Sequence, residues 1–239
     1  MTPTIFQLIP FSALLGVLLS CEHKTPPVTN PGSTTQQPPA TQAALTIGEV
    51  SITHGEIETL VKFIQDTDPT MGRSKCIRIL LDRHLIPLAF VKHEFSEQLR
   101  VQHDRAAALV QTIGQAGYDE LTEKAARMPG YEVHKNAIRQ HVTIPEQQWL
   151  FDDLKVGQMS PILTSPYGYS VVAAKTKRTG PTTAFDNADV VIVRFAVLTR
   201  KEFDLWFVDL KDRIRKLPAK SIVYHQNLED ALPPWLPKS

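Results

Sequence analysis

Residues 22–44, EHKTPPVTNPGSTTQQPPATQAA, limit what this chain can fold into. Five prolines set among Thr, Gln and Ser interrupt helices and ladders alike and leave almost nothing apolar to bury, so the stretch reads as a disordered linker. The core of this 239-residue chain is therefore expected from residue 45 onward. The material is sufficient, since 42% apolar and 21% charged residues are ordinary for a globular domain. Lys and Arg number 26 against 25 Asp and Glu, a net charge of +1 without the basic surplus that grips phosphate backbones. Nucleic acid is not an expected partner.

Ahead of the linker, FSALLGVLL at 11–19 is an apolar run of signal-peptide length, too short to span a bilayer. It ends at Leu18-Leu19-Ser20-Cys21, which resembles the lipobox of bacterial lipoproteins. That resemblance implies a signal peptide over 1–20, cleavage before Cys21, and lipids carried by Cys21. The expected place is the cell envelope, in the periplasm and tethered to a membrane, with the linker as spacer. MTPTIFQ lacks the usual Lys or Arg, and an ordinary secretory signal with an incidental cysteine is the competing reading. The second cysteine, Cys76, stands on an apolar helical face and is expected to be a small buried hydrophobe.

From residue 45 the periodicities are those of an α+β fold. IGEVSIT reads as a short strand leading into a helix whose Thr53 and Glu56 form a capping box and whose Ile57, Leu60, Val61 and Ile64 mark one face. A second helical pattern runs from Arg73 through Leu99, with Pro87 expected to kink or split it. AAALVQTI and YDELTEKAA continue the helical half. Thr143 and Glu146 form another capping box, with Pro145 early in the helix where its missing N–H costs nothing and Gly157 as C-terminal cap. MSPILT, YSVVAAK and DVVIVRFAVL read as strands; Thr199 and Glu202 cap a last amphipathic helix, and SIVYH closes as a strand.

Two separate stretches resemble one group of proteins. IGEVSITHGEIETL with LLDRHLIPLAFVKHEF is similar to the N-terminal segment of SurA-type and PrsA-type periplasmic foldases. LVQTIGQAGYDELTEKAARMPG and LKVGQMSPILTSPYGYSVVAAK are similar to the first helices and the last hairpin of a parvulin domain, the peptidyl-prolyl cis-trans isomerase of those foldases. The resemblance implies a mostly helical region over 45–116, a shortened parvulin-like domain of small antiparallel sheet over 117–198, and a C-terminal helix and strand over 199–239 that return to the N-terminal region. It implies unfolded or partly folded exported chains as partners, and no cofactor or metal.

A prolyl isomerase must favour a twisted amide whose rotation barrier is ~18–20 kcal/mol, using an apolar socket for the ring and poorly hydrated polar groups around the carbonyl. The resemblance assigns Thr164 to the family's catalytic threonine, and Tyr167 to the aromatic before the hairpin glycine. Phe151, Trp149 and Tyr169 are the candidate substrate-binding aromatics, although aromatics on a helix or hairpin are more often packing than pocket. The polar set is thinned. Ser170 follows Gly168-Tyr169 where the family has a histidine, the opening histidine strand is replaced by helical SEQLRVQHDR, and no glycine-rich acidic stretch is present. His84, His93, His103, His134 and His141 lack metal-ligand spacing. DVVIVRF is a candidate to replace the missing first strand, which requires it to pair beside YSVVAAK inside the sheet.

The expected function is a membrane-tethered foldase of the peptidyl-prolyl isomerase class with weak or absent turnover. The alternative is a non-enzymatic lipoprotein, a chaperone or assembly module on the same fold. If Cys21 is the anchor, Cys21→Ser moves the protein from the membrane pellet to the soluble fraction on cell fractionation, whereas retention in the pellet contradicts lipidation.

Overall fold

The computed structural model describes residues 39–114, 117–153, 156–183 and 186–238. All of them fall in one compact unit, Pro38–Ser239. Cys21 and most of the linker lie outside the described residues.

The fold is α+β, with helices and two small antiparallel sheets. The chain enters as β1 (Ala43–Ile47) and turns at Gly48-Glu49 into β2 (Val50–Thr53). The single strand expected over 47–53 is thus the turn and second arm of a hairpin. Gly48 holds φ +60 at the first turn position, the geometry of a type II′ hairpin, which only glycine enters without strain. The linker also ends earlier than expected: Ala43 and Ala44 join β1, and Ala44 is buried. Alanine has too little side chain to announce a strand.

Thr53 caps α1 (His54–Thr67): its N–H and hydroxyl both donate to Glu56 at 2.8 Å, and its hydroxyl accepts from the Glu56 N–H. Next come α2 (Arg73–Leu80), a π turn at Leu81–Leu85, and α3 (Ile86–Glu94). Pro87 neither ends nor breaks the rod. In the π turn the Ile86 N–H bonds the carbonyl of Leu81, five residues back, so the prolyl residue that lacks a donor starts a fresh helical segment. A break at Phe95 then leads into α4 (Ser96–Ile113).

The first core is assembled from both ends of the sequence. After α7 (Arg200–Arg215) the chain forms β7 (Ile222–Tyr224), which pairs antiparallel with β1 to give the order β2-β1-β7. Leu210 and Ile214 of α7 bury against Leu45, Ile57, Leu80 and Ile86. Cys76 is free and buried in the same core.

The second core surrounds a four-stranded sheet of order β3-β6-β5-β4, built from β3 (Tyr131–Ile138), β4 (Leu163–Ser165), β5 (Gly168–Arg178) and β6 (Asn187–Ala196). Its strands pair antiparallel throughout. β6 lies inside, bonded to β3 on one side and β5 on the other. Val171, Ala173, Val191, Val193 and Phe195 face α4 and α5 (Tyr118–Ala125). Val172, Ala174, Val190 and Ile192 face Leu150 and Phe151, which come from the π turn Gln148–Asp153 that follows α6 (Ile144–Gln147). Both faces are covered, which is why β6 reads as an unbroken apolar run rather than an alternation. Gly168, at φ +126, starts β5 where a Cβ would press into the Phe195 carbonyl of β6. α4 packs near its start on Val91 and Phe203 through Leu99, and its C-terminal half packs on this sheet through Ala106, Leu109 and Ile113.

His84, in the π turn, is 5% exposed. Burial, helped by the Lys92 ammonium, pulls its pKa from 6.5 down to about 4. The unfolded chain therefore binds a proton near pH 6.5 that the folded chain refuses until about pH 4, so this contribution to stability is complete above pH 6.5 and is lost as pH falls. The loss approaches about 3 kcal/mol. His84→Leu flattens the corresponding part of the profile when urea unfolding is compared at pH 7.5 and 4.5; an unchanged profile contradicts the burial of a neutral imidazole.

Candidate functional site

The aromatic and hydroxyl residues singled out in the sequence do not converge. Phe151 and Trp149 pack on the sheet face that carries Val172 and Ile192. Phe151 is 4% exposed, its carbonyl accepts from the Lys177 ammonium, and the Arg139 guanidinium lies 4.8 Å above its ring. Arg139 is itself fixed by Asp152 at 3.1 Å and Asp186 at 3.9 Å. Phe151 is thus a packed base for a cation–π contact rather than the wall of an open socket.

Tyr169 projects from the opposite face, edge-on to the His103 ring of α4 at 5.3 Å between centroids. Thr164 stands directly across from Tyr169 in the β4–β5 ladder and shares its face. Tyr167, in the hairpin turn, packs on Phe203 of α7 with centroids 4.5 Å apart. That pair opens an aromatic series through Trp206, Phe207 and Trp235, which joins the hairpin tip to the first core. The sheet separates Thr164 and Tyr169 from Phe151 and Trp149. The five residues cannot line one cavity.

The geometry brings a different set together at the far end of the second face. Ser170 sits opposite Arg194 in the β5–β6 ladder. Arg194 donates to Glu132 of β3 at 2.8 Å and to Glu146 of α6 at 3.1 Å, and Glu132 also meets His134 Nε2 at 2.9 Å. Glu146 is fully buried, and the oxygen that meets Arg194 also accepts the Thr143 N–H at 2.8 Å, so it caps α6 and neutralises Arg194 at once. The remaining Glu146 oxygen, the Thr143 hydroxyl and the Ser170 hydroxyl are buried without a partner among the described residues. Burial opposes the Arg194 charge, but the two carboxylates outweigh it and raise its pKa.

The sequence marks Glu146 only as a capping residue and gives Arg194, Glu132 and His134 no role in a site. One signal was present. An arginine inside the apolar run VVIVRF must find a carboxylate when the run is buried on both faces. Its partners belong to β3, whose polar, irregular sequence YEVHKNAI does not read as a strand. β3 is an edge strand, with Asn136 at φ 53 beside a register shift, so it lacks the alternation that marks half-buried strands.

Chemically, Ser170 occupies the position after Gly-Tyr where the parvulin resemblance calls for a histidine, and it stands across the ladder from a guanidinium clamped by two acids. Neither residue is a free acid–base group: the Arg194 guanidinium is engaged by both carboxylates, and Ser170 carries only a buried hydroxyl. Among the described residues no group of three His, Cys, Asp or Glu is placed to hold a metal ion, and no helix is long and apolar enough to cross a membrane. No known protein family, curated protein or solved structure matches this chain.

Removing Arg194 strands Glu146 in the interior. Arg194→Met is expected to cost about 3–5 kcal/mol, and Arg194→Met with Glu146→Leu to recover most of it, because an apolar pair of similar volume needs no charge compensation. Chemical denaturation of the three proteins checks this; equal destabilisation by the single and double changes contradicts a coupled buried pair.

Proposed function

We propose that this protein is an exported, membrane-tethered foldase of the parvulin type that holds unfolded client chains and no longer turns their prolyl bonds. The observation that carries the reading is the place of β6. The resemblance leaves a parvulin-like domain without its first strand, and β6, supplied from downstream, pairs beside β5 in the interior of the sheet. A second observation supports the foldase part: β7 and α7 return to the N-terminal hairpin and helices, as the C-terminal segment does in SurA-type proteins.

Loss of turnover follows from the site chemistry. Ser170 replaces the histidine, Arg194 is saturated by Glu132 and Glu146, and Thr164 lies on the other face from Phe151. Holding a client demands less, because main-chain hydrogen bonds and apolar contacts tolerate many sequences. Export and a lipidated Cys21 would place this activity at a membrane surface, where the linker gives it reach.

Two assays on the same preparation test the reading. Cis-to-trans conversion of a proline tetrapeptide should proceed at the buffer rate, within tens to hundreds of seconds at 25 °C. Aggregation of a chemically unfolded client should be suppressed near one-to-one stoichiometry. Accelerated isomerisation that Thr164→Ala abolishes would refute the loss of turnover; failure to slow aggregation would refute the holding role.

A further inference from the structure

β2 is an edge strand, bonded to β1 alone. In a hairpin with a two-residue turn, the flanking pair Ile47 and Val50 exchanges hydrogen bonds, so the next residue, Ser51, directs its N–H and C=O away from β1. Among the described residues no backbone group outside β1 meets Val50, Ser51 or Ile52. Alongside this open edge runs a groove of about 300 Å³ between β2 and α3, with Leu85, Leu88 and Ala89 on the helical side. An open strand edge next to apolar helix is the arrangement that accepts an extended peptide as an added strand.

Charges around the groove give the guest a direction. Glu56 is occupied by its Thr53 cap, and Glu49 meets His93 at 3.4 Å. Lys92, exposed on the rim, has no carboxylate partner among the described residues. The Glu49–His93 contact places Lys92 near the turn end of the groove, where β2 begins. A strand added antiparallel to β2, as all strands of this sheet pair, runs toward that end and brings its C-terminus to Lys92. The volume lies at the low end for ligand sites and suits a chain end rather than a long segment passing through.

We propose that this groove captures the C-terminal end of an extended apolar client chain, which joins β2 through the Ser51 main chain while its terminal carboxylate meets Lys92. The inference rests on the foldase reading and specifies which part of the client is held. It assigns the holding activity to the first core, away from the sheet that carries Arg194.

The test is fluorescence anisotropy with an N-terminally labelled heptapeptide of alternating valine and serine, made with a free C-terminal carboxylate and as its amide. The free acid should bind roughly fivefold more tightly than the amide, the scale of one partly desolvated charge-assisted hydrogen bond. Lys92→Gln should erase that difference. Ser51→Pro, which removes the outward N–H of an edge strand along with the Ser51–Thr46 hydroxyl contact, should weaken both peptides, while Ser51→Ala, which loses that contact and keeps the N–H, should bind like the parent protein. Circular dichroism melts establish that each variant is folded. Equal affinity for acid and amide, no measurable binding of either, or undiminished binding by Ser51→Pro overturns the proposal. If aggregation of unfolded client is still suppressed in that event, the foldase reading stands and this groove is not its site.

Discussion

The pairing of β6 on both sides is the constraint on which the sheet domain depends. β3 and β5 do not touch through a ladder of their own; each is bonded to β6, and β4 is bonded only to β5. Val190, Val191, Ile192 and Val193 are fully buried on alternate faces, each removing side-chain surface worth roughly 1.5–3 kcal/mol from water. Without β6 the two helical layers would have no common surface to cover. β6 comes after β5 in the chain, and α4 reaches the sheet before any of its strands is formed.

The same pairing fixes the chemistry of the second face. An interior strand that must satisfy neighbours on both edges brings Arg194 within reach of Glu132 on one side and Ser170 on the other, while α6 lowers Glu146 onto it. The result is a buried ion-pair network centred on Arg194. On the first core, β2 and α3 leave a groove beside an open strand edge. Structure and chemistry thus divide the molecule into a sheet domain that is filled and a hairpin–helix module that is open.

Much of this was legible because local chemistry decided it. Thr53–Glu56 and Thr199–Glu202 announce their helices, and both boxes form with hydrogen bonds at 2.7–3.3 Å. The apolar runs of β5 and β6 signal strands buried on both faces, and the α7 stripe of Phe203, Leu210 and Ile214 is buried. Non-local facts were not legible. Which face of the sheet Thr164 and Phe151 occupy depends on register and on where α6 crosses, and one residue of slip exchanges the faces. β3 is hidden because an edge strand with a bulge obeys no alternation, and Arg194 because its acids lie 62 and 48 residues away in sequence.

Amide hydrogen exchange of the intact protein tests the central arrangement most directly. With β6 enclosed between β3 and β5, the amides of Val190 to Phe195 should be among the slowest in the molecule, opening only with global unfolding, while those of edge strands β3 and β4 exchange earlier through local fraying. Exchange of β6 as fast as that of β3 would show that it is not the strand around which the sheet is built.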